Sequence, residues 1–318
     1  MILFYTTGSH TEGLGHIFRT LALIKVLLVR ELSFFCVVNE SPIVESLFRE
    51  HQISVSFLSN LENILQTNSI HSLVIDTRRD VSEAVRLAKQ YSVPIVMLDC
   101  LTPARLWADI NIYPNPHFDW HALDWKTYNG QIFGGALYTI LHQKFQDARE
   151  NIPAVESRNR ILVSFGGSDP NGVTQRVLPW LIRSAVGPID VVIGPGFQCS
   201  ENLYALASDE VSFHENCSNL VPLMLQSRVL ITALGVTIYE AALLQLPSII
   251  LSNFHSDFVD EVQIEKFIGI FPLGYYEQVL EVDFLRVLRQ VLQTPSYQAQ
   301  VGTLLDGLGA ERIIDILI

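Results

Sequence analysis

Basic residues are scarce in this chain: 21 Lys and Arg stand against 33 Asp and Glu, a formal charge of −12 at pH 7. Nucleic acid and anionic membrane surfaces favour a basic face, so neither is expected as the main partner, and any anionic ligand must be met by local groups. Long apolar runs are also missing. The longest, Leu21 to Val29, is broken by Lys25 and followed by Arg30 and Glu31; it stops well short of the roughly 20 residues that a membrane span needs. The first residues read as a strand, with neither a basic leader nor a small-residue cleavage site, so no signal peptide and a cytoplasmic location are expected. The four cysteines (Cys36, Cys100, Cys199, Cys217) are far apart with no Cys-x-x-Cys pair, which predicts buried free thiols rather than a disulfide framework or zinc site. His117 and His121 stand four apart, but the run Tyr113-Pro114-Asn115-Pro116 before them reads as loop, so no metal site is expected there. No cofactor is implied, and the oligomeric state is not legible.

What the chain does have is apolar material and glycine turns. With 318 residues, 49% hydrophobic and 17% charged, it can build two domains of ordinary size. The stretch Thr11 to Arg19 organises the reading. An apolar strand (Ile2 to Tyr5) runs through a turn-prone segment into a helical pattern that begins near His16. Gly13 and Gly15 remove side chains where the chain turns, and a helix start offers unpaired N–H groups and a positive dipole end. His16 adds an imidazole, a group that ordinarily titrates at about pH 6.5. These features describe a site that binds an anion and moves a proton; the plain alternative is a Gly-rich turn with a surface histidine.

The first half alternates strand and helix. Ser33 to Val38 reads as strand, Pro42 to Glu50 as helix, Ile53 to Leu58 as strand and Leu61 to Gln66 as a weak helix. Leu73 to Asp76 and Ile95 to Asp99 read as buried strands that each end in a carboxylate, with an amphipathic helix (Asp80 to Tyr91) between them. This order predicts a parallel sheet covered on both faces by helices. Ligands of such sheets lie beyond the carboxyl ends of the strands, which puts Asp76 and Asp99 beside the His16 loop. Capping or loop hydrogen bonding is the bland role for each. Ala108 to Tyr113 reads as a last strand, followed by an aperiodic aromatic stretch (Pro114 to Trp125) of the kind that forms lids or ligand contacts.

The second half restarts with Arg160 to Phe165 as strand, the turn Gly166-Gly167-Ser168-Asp169-Pro170, and a helix from about Asn171. Val191 to Ile193, Val211 to His214, Val229 to Thr232 and Pro247 to Leu251 follow as strands, the first of them ending at Gly194. Leu220 to Gln226 and Thr237 to Leu244 read as helices. The fold class is therefore α/β, with two Rossmann-like doubly wound domains facing across a cleft. The expected boundaries are 1–145 for the first domain, 146–158 for a linker and 159–300 for the second domain. A terminal helix in 301–318 would be free to pack back on the first domain. Gly235-Val236-Thr237-Ile238-Tyr239-Glu240 is the most informative piece of the second half. Gly235 leaves room at a strand-to-helix turn, Thr237 can donate to phosphate, and Glu240 one turn on can accept from ribose hydroxyls. Thr-x-x-Glu is also the signature of a capping box.

Gly13 to Arg19, Gly135 to Phe145, Ile161 to Pro170, and Gly235 to Glu240 with the downstream Gln263 and Leu273-Gly274 together resemble the PseG/SpsG family. That family comprises the UDP-sugar hydrolase of pseudaminic acid biosynthesis and its spore-coat polysaccharide relatives. It shares the two-domain GT-B fold with inverting, MurG-type glycosyltransferases. The resemblance implies that the second domain binds UDP, with Gly166, Gly167 and Ser168 at its first Gly turn facing the cleft and Gly235, Thr237 and Glu240 at the diphosphate and ribose; Gly194, at the turn after the next strand, is a further candidate contact. Gln263 would close the nucleotide-sugar pocket, and the first domain would present the sugar along Gly13, Gly15 and Arg19. His16 matches the catalytic histidine that activates water for inverting attack, and Asp76 is a carboxylate available to orient it. The chain departs from the pattern at Val236, where a small polar residue is expected, and at Val262, where an Asn is. The expected function is hydrolysis of a UDP-activated amino- or deoxy-sugar in surface-glycan biosynthesis. The alternatives are an inverting glycosyltransferase on the same donor and a nucleotide-sugar binding protein without turnover.

Overall fold

The computed structural model describes residues 1–9, 14–194, 196–197, 201–215, 217, 219–255, 264, 267–297 and 305–318. It divides the chain into two units, Met1–His142 with Gly307–Ile318, and Gln143–Asp306. No helix among the described residues is long and apolar enough to cross a membrane.

The first unit is a parallel sheet of β1 (Ile2–Thr6), β2 (Phe34–Val38), β3 (Ser56–Phe57), β4 (Ser72–Asp76), β5 (Ile95–Leu98), β6 (Ile110–Tyr113) and β7 (Gln131–Gly134), in the order 3-2-1-4-5-6-7. Its helices are α1 (Gly15–Val29), α2 (Pro42–Glu50), α3 (Leu61–Thr67) and α4 (Ser82–Gln90). The strands are apolar on both faces because both are covered. Ile2, Phe4, Cys36, Val38 and Val74 pack against Ile17, Leu21 and Ile24 of α1 and Val44 and Phe48 of α2. Leu3, Tyr5, Leu73 and Ile75 pack the other way, against Leu61 and Leu65 of α3 and Val85 and Ala88 of α4. Strand β7 has no counterpart in the sequence reading. It is a four-residue edge strand closed by Gly134, too short to show a period. The strand expected over Ile53 to Leu58 is only the two residues of β3, followed by a 3-10 turn at Leu58–Asn60.

The second unit repeats the plan. Its parallel sheet contains β8 (Arg160–Ser164), β9 (Ile189–Ile193), β10 (Val211–Glu215), β11 (Ser227–Thr232), β12 (Ser248–Ser252) and β13 (Ile270–Tyr275), in the order 10-9-8-11-12-13. Its described helices are α5 (Gln143–Arg149), α6 (Val173–Ser184), α7 (Glu201–Tyr204), α8 (Val221–Gln226), α9 (Thr237–Leu243) and α10 (Glu281–Gln293). Ile161, Val163, Val191, Val229 and Ile231 pack on Val177 and Leu181 of α6 and Phe284 and Leu288 of α10. Pro272 is tolerated in β13 because β13 is an edge strand, and the pairing with β12 shifts just after it, from Ile250 opposite Pro272 to Ser252 opposite Tyr275. Residues 146–158, read from the sequence as a linker, hold most of α5 and a 3-10 turn at Val155–Ser157, all within the second unit.

The last helix, α11 (Gly309–Leu317), belongs to the first unit, where Ala310, Ile313, Ile314 and Leu317 join the α1 side of the core. Gly309 is required by close approach: a Cβ there would lie 2.2 Å from the carbonyl oxygen of Thr139. Backbone cannot yield as a flexible side chain would. Gly309→Ala is therefore expected to destabilise the first unit by about 1–3 kcal/mol, read as a lower denaturant midpoint for that unit's transition.

Candidate active site

Strands β1 and β4 are hydrogen-bonded neighbours with Thr6 opposite Asp76, so Asp76 closes β4 at the carboxyl edge of the sheet. Helix α1 opens at the same edge. His16 and Arg19, three residues apart, lie on one side of its first turn. His16 Nδ1 is 2.7 Å from Asp76 Oδ1, and Arg19 donates from Nε to Asp76 Oδ2 at 2.7 Å. Arg19 Nη2 also donates to Asp76 Oδ1, while Nη1 reaches Asp99 Oδ2 at 3.1 Å. Asn115 Nδ2 donates to that same Asp99 oxygen at 3.0 Å. The loop between β1 and α1 is anchored before it enters the helix. Gly8 N–H donates to Asn39 Oδ1 at 2.9 Å, Asn39 Nδ2 returns a bond to the Gly8 carbonyl at 3.0 Å, and the Thr7 and Thr77 hydroxyls pair.

Burial would raise the Asp76 carboxyl, but the Arg19 charge and the hydrogen bonds from His16 and Arg19 prevail and hold it below the usual carboxylate range. For Arg19 burial works downward, and Asp76 and Asp99 together push it well above its ordinary value. Both groups are therefore charged at neutral pH, a buried ion pair compensated on both sides. The His16 side chain is 15% exposed and that of Asp76 only 1%, so the ring meets solvent while its partner is sealed. An ionised Asp76 can accept from a proton on Nδ1, the arrangement that leaves Nε2 able to take a proton.

In the second unit, the two loops after β8 and β9 lock together through backbone. Gly196 N–H donates to the Gly167 carbonyl at 2.8 Å, and a Cβ on Gly194 would come within 2.5 Å of that oxygen. Gly194 thus has a packing reason to be glycine. Gly166 has φ +81°, whereas a Cβ on Gly15, Gly167 or Gly235 would meet no atom within 4 Å, and none of these three has a positive φ. Neither packing within each unit nor backbone conformation demands glycine at those three points, and the open space beside each is free for a ligand. Ser168 is exposed at the same turn. Helix α6 does not offer its start to an anion, because Asp169 accepts from the N–H groups of Val173 and Thr174, both at 2.9 Å. Helix α9 differs. Thr237 is its first residue, and the preceding Val236 provides no side-chain cap, so the Thr-x-x-Glu pattern does not form a capping box around Thr237. Burial pushes the Glu240 carboxyl up to about 7, against the lowering effect of Lys144 on α5.

Among the expected site residues, the structure brings His16, Arg19 and Asp76 into one cluster, and Gly166, Gly167, Ser168 and Gly194 into one pair of turns. Arg19, expected to touch substrate, directs Nε, Nη1 and Nη2 at the two carboxylates. Gly13 and Gln263, and the departure at Val262, lie outside the described residues. Asn39, Asn115 and Asp169 are not among the residues expected at the site from the sequence. Only Asp169 carries a local signal, an Asp shortly before a helix start. Among the described residues, no group of three or more His, Cys, Asp or Glu is arranged to hold a metal ion.

No family model matches the chain. Over 334 aligned residues it is 24% identical to the spore coat polysaccharide biosynthesis protein SpsG of Bacillus subtilis, covering 98% of this chain and 96% of that one. The solved structure of MurG from Acinetobacter baumannii superposes with a TM-score of 0.71 at 12% identity, covering 99% of each chain. The chain is thus similar over nearly its full length to SpsG, and it has the GT-B fold of MurG. It is also 29% identical over 273 residues to protein MJ1062 of Methanocaldococcus jannaschii, covering 79% of this chain but spanning only 55% of that protein's length. Another GT-B likeness is to the UDP-GlcNAc 2-epimerase of Neisseria meningitidis, solved bound to UDP-GlcNAc, with a TM-score of 0.66 at 11% identity and coverage of 100% and 99%.

Proposed function

We propose that this chain is an inverting enzyme that separates a UDP-activated amino- or deoxy-sugar from its diphosphate in surface-glycan biosynthesis, with water as the attacking group. The observation that carries the reading is the His16–Asp76 pair, with Nδ1 held by a buried carboxylate at 2.7 Å. In this mechanism Nε2 takes a proton from water, the water oxygen bonds to the anomeric carbon from the face opposite the diphosphate, and the carbon–oxygen bond to UDP breaks with its electron pair leaving on UDP. A single displacement of this kind inverts the anomeric centre. We assign the diphosphate to the turn at Gly166, Gly167 and Ser168 and to the chain around Gly235 and Thr237, and the ribose hydroxyls to Glu240. Arg19 is assigned the task of holding Asp76. The polysaccharide role in SpsG's name and the UDP-GlcNAc held by a protein of like fold support this choice of substrate class.

A glycosyltransferase that uses an acceptor hydroxyl in place of water is the second reading. It is favoured by Phe18 and Leu101, which are 52% and 55% exposed and lie one residue before Arg19 and two after Asp99; apolar surface there would suit a lipid-linked acceptor. UDP release from a panel of UDP-sugars, with and without acceptors, separates the readings. Hydrolysis predicts acceptor-independent release that falls about 10²–10⁴-fold in His16→Ala. Release only with an acceptor would make the chain a transferase, and tight donor binding without release in any mixture would make it a binding protein. Unchanged turnover in His16→Ala would remove His16 from the mechanism.

A further inference from the structure

His16 Nδ1 has two neighbours that ask opposite things of it. Asp76 Oδ1, 2.7 Å away, requires a proton on Nδ1; Arg19 Nη2, 3.0 Å away, can only donate and requires a lone pair there. The first arrangement leaves Nε2 able to accept a proton, and the second places the proton on Nε2 and disables it as a base. What separates them is the orientation of the planar Arg19 guanidinium. Asp76 holds it at Nε and Nη2, and from the far side Asp99 Oδ2 takes Nη1 at 3.1 Å and is itself held by Asn115 Nδ2 at 3.0 Å.

Asp99 is built into place at some cost. Its φ is +56°, a left-handed conformation that Asp and Asn tolerate better than most residues. Its N–H donates to the Ile112 carbonyl at 2.9 Å, and the Tyr113 hydroxyl holds the next carbonyl, that of Cys100, at 2.8 Å. Backbone strain maintained by such bonds at the edge of a candidate site points to a task for the residue.

We propose that Asp99 is a positioning residue that selects the tautomer of His16: by holding Nη1 of Arg19 it keeps Nη2 on Asp76, so that Asp76 takes the Nδ1 proton and Nε2 stays available. The charged groups in this balance are Arg19 on α1, Asp76 at the end of β4 and Asp99 after β5. The catalytic consequence rests on the function proposed above, but the tautomer does not.

The test is ¹⁵N NMR of histidine-labelled full-length chain above the imidazole titration range, where protonated and unprotonated ring nitrogens resonate far apart. The His16 signals are assigned by their loss in His16→Gln. The wild type is expected to carry the proton on Nδ1, and Asp99→Asn, an isosteric change suited to the left-handed backbone, to move it toward Nε2. Asp99→Gly, which relieves the positive φ and still removes the carboxylate, is expected to do the same. Adding Arg19→Lys to Asp99→Asn takes away the competing arm but keeps the charge, and is expected to return the proton to Nδ1. Where the wild type turns over UDP-sugar, Asp99→Asn should lower kcat about 10- to 100-fold with little change in KM. A wild-type proton on Nε2, a tautomer unmoved in both Asp99 variants, or one not restored by Arg19→Lys would overturn the proposal. Absence of UDP-sugar turnover would defeat the functional reading while leaving the NMR result to decide this one.

Discussion

Asp76→Asn is expected to lower kcat for the proposed UDP-sugar cleavage about 10³–10⁴-fold while leaving the affinity for UDP unchanged. An amide in place of the carboxylate can present its NH₂ to His16 Nδ1, which then accepts, and the ring proton moves to Nε2 where the reaction needs a lone pair. A buried carboxylate that holds an imidazole in its working tautomer has an effect of this size in hydrolases of triad type. The nucleotide contacts proposed here lie in the second unit, so UDP binding by calorimetry provides the internal control. A second consequence concerns stability. Arg19 is bonded to Asp76 through two nitrogens and to Asp99 through one; without the Asp76 charge a buried guanidinium is left partly compensated, at a cost of roughly 2–4 kcal/mol in the first unit. A kcat within tenfold of wild type would show that Asp76 serves Arg19 alone.

Glu240→Gln is expected to do the reverse, stabilising the protein and weakening nucleotide binding. Burial, opposed by Lys144, pushes this carboxyl up to about 7 from an ordinary 4.5. Between those values the folded chain holds a proton that the unfolded chain has released. Stability therefore falls as pH rises from about 4.5 to about 7 and stays lowered above that. With partial solvent screening at a side chain that is not fully buried, the penalty is roughly 2–3 kcal/mol. The glutamine variant removes it, so the gain in the second unit's calorimetric transition should be full at pH 8 and vanish near pH 4.5. Ligand linkage has the opposite sign. In the proposed site ribose hydroxyls donate to the carboxylate, so the affinity of the wild type for UDP should drop as pH falls below about 7, and the glutamine variant should bind about tenfold or more weakly with no such slope. An equal transition temperature for the two proteins at pH 8 would count against a desolvated carboxyl. A pH-independent wild-type affinity would take Glu240 out of the ribose site. Stability given up at a binding residue is a familiar trade.

The repeat of strand, glycine turn and helix was legible because it is a local pattern. Buried parallel strands are short apolar runs, the helices between them show a 3.6-residue period, and glycine marks the turns. The runs ending in Asp76 and Asp99 could be placed at the carboxyl edge of a sheet by the same logic. Edge strands were harder to read. The strand β7 and the proline-containing β13 are short or interrupted, because one side of each is free of the ladder that enforces pattern in central strands.

What the sequence by itself determined is the α/β class, the two doubly wound sheets and the presence of a histidine at the first glycine turn, all of which follow from periodicity and turn chemistry within some twenty residues. The sequence could offer Asp76 as a carboxylate beside that histidine, but tertiary structure decided the contact itself and the Arg19, Asp99 and Asn115 bonds around it. His16 and Asp76 are 60 residues apart in the chain, Arg19 and Asp99 are 80 apart, and Asn115 is a further 16 beyond Asp99. Their meeting depends on β4 and β5 lying in order beside β1, and no local pattern encodes that adjacency. The fold likewise decided that Asp169 caps α6, that no side chain caps α9 through Val236, and that Glu240 is desolvated. A carboxylate's role depends on which N–H groups and charges surround it, and those neighbours are brought in by packing.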